Sequence, residues 1–251
     1  MEVINLFYSD KFTFAGIPND EMEVSLVSMD VDILNEYGIN FSQDISKVGT
    51  SNNPIYSISD TDTDTIQISL CYEINNEAMP WTIQKRAEII SWMVQDEFMP
   101  FVSEDDPDII YYFKCVGYTK EFNLRNKGVI TFEMKPYSPY AYVSRNTRVV
   151  VSGNYNLNLT NISNVDNLFS PIFKITTKRQ ETIEIGTLTI NVENGDVIVV
   201  DNGMNTITNS NEKSMISNSN RKWVRLTRGN NQLVMKGNFD IEIDCLFPIM
   251  V

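Results

Sequence analysis

The chain has 251 residues, 42% of them apolar, enough for one large core or two smaller ones. Its formal charge of −13 is unevenly spread: residues 1 to 146 hold 23 Asp plus Glu against 10 Lys plus Arg, while residues 147 to 251 hold 10 of each. That acid excess argues against nucleic-acid binding by a basic patch in the first part, and the absence of any histidine removes His-based nucleophilic systems and most zinc and iron ligand sets.

From the start, Glu2 to Phe7 and Phe12 to Phe14 read as a hairpin around Tyr8-Ser9-Asp10-Lys11, with Gly16 and Pro18 ending the pair. The first residues are acidic and lack a basic leader region, so secretion is not expected, and no apolar run reaches the length of a membrane helix. Glu21 to Ile33 alternates like a strand with one buried face. Residues 34 to 64 have little apolar periodicity and predict a long loop or an extended arm, the latter suited to reaching a neighbouring subunit. Asp60, Asp62 and Asp64 open like an EF-hand loop, but its sixth and twelfth positions are Thr65 and Cys71, so the run reads as a solvated turn feeding a strand from Thr65 to Ile74.

The stretch from Trp81 to Phe113 holds the one convincing helix. Ile83, Ala87, Ile90 and Val94 share one face at helical spacing, which predicts packing on a sheet. Trp92 then points away, flanked by Ile89 and Met93. Two readings of this second apolar surface stay open: a covering loop, or a subunit contact made by Ile89, Trp92 and Met93. The acidic turn of Glu104, Asp105, Asp106, Pro107 and Asp108 leads into strands at Ile109 to Tyr118 and Val129 to Met134, the latter introduced by Asn126-Lys127-Gly128.

Lys135 to Tyr142, KPYSPYAY, makes neither a helix nor a central strand and predicts an extended exit from a first domain. We place the domains at 1–143 and 144–251. The second half offers only short β-branched runs: Arg148 to Val151, Ile172 to Thr177, Thr182 to Ile185, Leu188 to Val192, Val197 to Val200, Trp223 to Leu226, Leu233 to Met235 and Phe239 to Leu246. Asn194-Gly195, Asn202-Gly203, Gly229-Asn230 and Gly237-Asn238 punctuate them, the pattern of an all-β sandwich. Cys71, Cys115 and Cys245 have no paired spacing and read as buried thiols. No nucleotide-binding or CxxC motif is present, so the sequence predicts no enzyme, cofactor or metal site. A carboxylate-pair hydrolase stays formally open.

KPYSPYAY closing a β-rich domain whose helix carries Ile89 and Trp92 resembles the distal tail protein family (Dit) of long-tailed bacteriophages. Pro171 to Ile175, Val197 to Asp201, Trp223 to Leu226 with Gly229-Asn230-Asn231, and the opening Phe12 to Gly16 are similar to that family in order and spacing. The resemblance implies a mainly β fold: an N-terminal β-barrel or sandwich-like, ring-forming domain with one helix, then a C-terminal galectin-like β-sandwich. It further implies a structural hub at the tail tip of the virion, assembled in the host cytoplasm as a homohexamer without membrane insertion. Such a ring joins the tail tube protein to the tail-associated hub protein and the baseplate or fibre proteins, and DNA passes through without specific binding. Asp60, Asp62, Asp64, Glu104, Asp105, Asp106 and Asp108 are then candidates to line the channel. The alternative is a carbohydrate-binding module for host saccharide, for which the orientation of Trp223 is undecided.

Overall fold

A computed structural model describes residues 9–27, 41–48, 55–165 and 167–250, with side chains throughout except in 41–62. The expected strand Glu2 to Phe7 and the end of the run to Ile33 lie outside the described residues. The chain divides into two compact units between Ala141 and Tyr142.

The first unit begins with a tight hairpin, β1 (Phe12–Phe14) and β2 (Ile17–Pro18). Ala15 and Gly16 both take positive φ, 52° and 80°, so Gly16 belongs to the turn and Pro18 to the second strand, where the pair was expected to end. Next come β3 (Val24–Leu26), β4 (Phe41–Val48) and β5 (Ile55–Thr63). The last two correct the expected loop: they pair antiparallel from Phe41↔Thr63 to Val48↔Ile55, and with no other strand among the described residues. β-Branched residues spaced among Ser and Asp support extended backbone there without giving a clear apolar period. β6 (Ile66–Ile74) and β7 (Glu77–Ala78) turn at Asn75-Asn76, both at positive φ. Helix α1 (Ile83–Met93) starts at Thr82, whose hydroxyl oxygen accepts the Lys85 N–H at 3.0 Å. β8 (Met99–Ser103), β9 (Ile109–Phe122) and β10 (Gly128–Pro136) complete the unit.

These strands run in the order β3-β6-β10-β9-β8-β1-β2, and no ladder among the described residues closes them into a barrel. Buried Asn19 ties β3 back toward β1 instead. It accepts the Phe12 N–H at 2.8 Å and donates to the carbonyls of Asp10 and Val24, at 3.0 and 2.7 Å. Phe12, Phe14, Leu70, Phe101, Phe113, Ile130 and Phe132 fill the interior.

In the second unit β11 (Ala141–Asn161), β12 (Leu168–Phe169), β13 (Ile172–Thr177), β14 (Glu181–Ile185), β15 (Leu188–Val192), β16 (Val197–Asp201), β17 (Thr206–Asn209), β18 (Leu226–Thr227) and β19 (Gly229–Ile249) surround one apolar core. The expected strands Leu233 to Met235 and Phe239 to Leu246 are both parts of β19. Its early residues pair with β14 at Glu184↔Lys236 and Ile185↔Met235; its later ones pair with β13 from Thr177↔Phe239 to Ile172↔Asp244. One strand thus serves the β14 and β13 ladders as well as pairing with β11, and it passes between the first two at Gly237, whose φ is 130°. A Cβ there would lie 2.9 Å from Ile183 Cγ2, so this passage requires glycine. Trp223 to Arg225 are not strand. Buried Asn202 instead accepts the Val224 N–H at 2.8 Å and donates to the Pro171 carbonyl at 2.7 Å, clipping that segment to the turn after β16.

Candidate assembly interface

Helix α1 is turned over relative to the sequence expectation. Ile89, Trp92 and Met93 are buried, whereas Ile83 is 78% exposed, Val94 is 43% exposed and Ala87 lies outside. The reason is visible around Trp92, which is 4% exposed. Its ring stacks on Phe12 at 5.8 Å, meets Phe14 edge-on at 6.1 Å, and its Nε1–H donates to the Phe14 carbonyl at 3.1 Å. Trp92 brings the largest side chain of the helix to this face, where it meets two aromatic rings and its indole N–H keeps a partner. Ile89, Trp92 and Met93 are therefore core residues of their own unit and leave no surface for a second subunit.

Lys85 also faces inward, which sequence periodicity does not anticipate. Its Nζ lies 3.2 Å from both Glu23 and Glu88 and sits over the Tyr72 ring. The ammonium is thus buried with partners, as burial of a charge requires. Trp81 anchors the helix start, donating Nε1–H to the Gly128 carbonyl at 2.8 Å and packing against Tyr72 and Phe122.

The acidic residues fall into two groups. Asp60 and Asp62 lie on strand β5 instead of a turn, and their side chains are outside the described residues; Asp64 follows that strand and is exposed. Glu104, Asp105, Asp106 and Asp108 are exposed in the turn from β8 to β9. That turn is well held: the Asp105 carboxylate accepts the Ser9 N–H at 2.7 Å and the Ser103 hydroxyl at 3.1 Å, and the Glu104 N–H donates to the Lys11 carbonyl at 3.1 Å. Burial raises the pKa of the nearby Tyr111 hydroxyl, and the Asp106 charge adds to the effect.

The second unit presents a polar ladder on β11, β13 and β19. Arg148 bonds Glu242 at 3.0 Å, Lys174 bonds Asp244 at 3.0 Å, and Asn146 donates to both carboxylates. Arg148 and Asn146 hold the Glu242 carboxyl below the usual carboxylate range. Trp223 is half-buried and packs against the core. Asn161, in a glycosylation-like tripeptide, is buried and donates to the Leu226 carbonyl at 3.1 Å. The cysteines are free; Cys115 and Cys245 are buried, Cys71 is half-buried, and burial pushes the Cys245 thiol up to about 12 with help from Asp244.

Among solved structures the fold is similar to the Dit protein of phage SPP1, described as a paradigm of the hub adsorption apparatus in phages infecting Gram-positive hosts. The TM-score is 0.61 at 12% identity, covering 94% of this chain and 98% of that one. The baseplate of phage p2 in its activated conformation gives a TM-score of 0.46 at 9% identity, covering 89% of this chain and 90% of that one. No curated protein matches the sequence. The family described as phage tail protein N-terminal domain matches residues 7–136, and the phage tail C-terminal domain family matches residues 140–245. With the two matches in this order along a mainly antiparallel β chain carrying one helix, the chain belongs to the phage tail protein family.

Proposed function

We propose that the chain is the structural hub of a phage tail tip: six copies form a ring through the first unit, join the tail tube to the baseplate, receptor-binding or fibre apparatus, and let DNA pass. The observation that carries this reading is the correspondence with the SPP1 Dit fold over nearly the whole of both chains. The work is structural, not catalytic. In this reading the β4–β5 hairpin is the arm that reaches a neighbouring copy, since a two-stranded sheet gains stability only when packed against something else. The acidic segments at Asp60 to Asp64 and Glu104 to Asp108 line the opening and repel DNA phosphate, so that the genome slides past without counterion-releasing contacts. The second unit, a galectin-like sandwich, sits outside and offers its polar ladder as a docking platform.

The reading treats 1–143 and 144–251 as separately stable domains. Expressed separately, residues 1–143 and 144–251 should each melt in a cooperative thermal transition; a fragment that melts without one would count against the boundary. Gold-labelled antibodies against the second unit should decorate intact particles at the tail end distal to the capsid. Label spread along the tail or on the capsid would sink the hub assignment.

A further inference from the structure

We propose that Asn194 is a self-modification site of this chain: its side-chain amide converts to a carboxylate through attack by the Gly195 backbone nitrogen, while Asn202, in the same dipeptide but a different setting, is held inert. This chemistry is independent of ring assembly. Asn-Gly occurs twice in the sequence, at Asn194-Gly195 and Asn202-Gly203, and both pairs lie in turns of the second unit. In such a pair the glycine nitrogen is tethered beside the side-chain carbonyl carbon of the asparagine, and the missing Cβ lets the two approach. Forming the N–C bond closes a succinimide ring; the bond from that carbon to Nδ2 breaks, and ammonia leaves with the proton of the glycine amide. Water then adds to either imide carbonyl and opens the ring to aspartate or isoaspartate. Overall an amide and water become a carboxylate and ammonium, with nothing oxidised or reduced.

The two settings differ at every group the reaction uses. Glu193, Asn194 and Gly195 are all exposed, and a Cβ on Gly195 would meet nothing within 4 Å, so the turn has room for the ring to close and for water to reach it. The restraint there is the bond from the Gly195 N–H to the Thr177 carbonyl, long at 3.2 Å, which a local opening of the turn releases. Asn202 is fully buried. Its amide donates to the Pro171 carbonyl at 2.7 Å and accepts the Val224 N–H at 2.8 Å. The Gly203 N–H donates to the Asp201 carboxylate at 2.8 Å, and a Cβ on Gly203 would lie 3.2 Å from that oxygen. Ring closure at Asn202 therefore requires stripping both bonds from a buried amide and freeing Val224, which needs a much larger opening of the unit. Conversion at Asn194 also has a structural consequence. It sets a new carboxylate between Glu193 and Asp196, and isoaspartate adds a backbone carbon to the link from β15 to β16, where the Asp196 carboxylate accepts the Glu193 N–H at 2.9 Å.

The test incubates the full chain for several weeks in warm, mildly alkaline buffer, folded and in urea, and follows the Asn194 and Asn202 peptides by mass spectrometry for the gain of an acid and for isoaspartate. In the folded chain Asn194 should convert at least about tenfold faster than Asn202 and give both acid isomers; in urea, where neither setting survives, the two should convert at similar rates. Asn194→Gln, whose longer side chain closes a larger ring more slowly, should remove the acidic species that the parent develops on ion exchange. Equal rates at the two sites in the folded chain would overturn the proposal, as would a folded Asn194 that keeps its amide while the urea sample converts. An Asn194→Gln chain that develops the acidic species at the parental rate would overturn it too. The peptide rates are read on the parent chain, so they decide the matter even if the variant misfolds.

Discussion

Replacing Trp92 with alanine tests the orientation of α1. The indole is 4% exposed, stacks on Phe12, meets Phe14 edge-on and satisfies the Phe14 carbonyl. Emptying such a site costs about 3–5 kcal/mol through lost transfer energy and the cavity left behind. Loss of the indole donor to the Phe14 carbonyl adds roughly 1 kcal/mol, and because these contributions overlap, about 4 kcal/mol is the working figure. That is a large fraction of the roughly 5–15 kcal/mol that holds a domain folded. Trp92→Phe keeps the aromatic contact with Phe12 but loses the N–H, and should cost about 1–2 kcal/mol. Urea unfolding followed by near-ultraviolet circular dichroism gives both values. A Trp92→Ala protein within about 1 kcal/mol of the parent that fails only to assemble would place the indole outward and refute the argument.

Gly237→Ala should destabilise the second unit by about 1–3 kcal/mol in urea titrations, because φ is positive there and the new methyl meets Ile183. Glu181 is subject to burial that raises its pKa, but the Asn238 N–H and Arg179 lower it more, so the net folded value is depressed. The stability Glu181 contributes is then fully present above its unfolded pKa of about 4.3 and is lost as pH falls through the folded value; Glu181→Gln should flatten the stability profile in that acid window. Lysines in place of Glu104, Asp106 and Asp108, with Asp105 kept because its carboxylate holds the turn, should leave ring formation intact yet slow DNA release from assembled particles, and release at the parental rate would retire the channel role of that turn.

Strands whose alternation is undisturbed were legible from sequence to the residue: Ile172 to Thr177 and Leu188 to Val192 have the expected bounds, and Asn194-Gly195 makes the turn that follows. Three features needed tertiary information. Lys85 sits at a core-facing position because Glu23, Glu88 and Tyr72 receive it, and two of those partners are distant in sequence. The Trp92 N–H bonds a carbonyl 78 residues away, which periodicity cannot encode. Gly237-Asn238 has the composition of a turn, but ladders with β13 and β14 on either side carry the strand through it. Likewise Asp60 and Asp62 look like turn residues until the pairing of β5 with β4 places them in a ladder, opposite Asp44 and Ser42. The orientation of α1 is hidden for a related reason: two apolar stripes share one helix at helical spacing, and only the distant partners of the Trp92 indole tell them apart.

Electron microscopy of the purified full chain, with symmetry left free during averaging, tests the central claim most directly. Closed sixfold rings with an open centre are expected, the first units forming the inner belt and the second units projecting outward. Monomers throughout, or filaments or rings without a central opening, would contradict it.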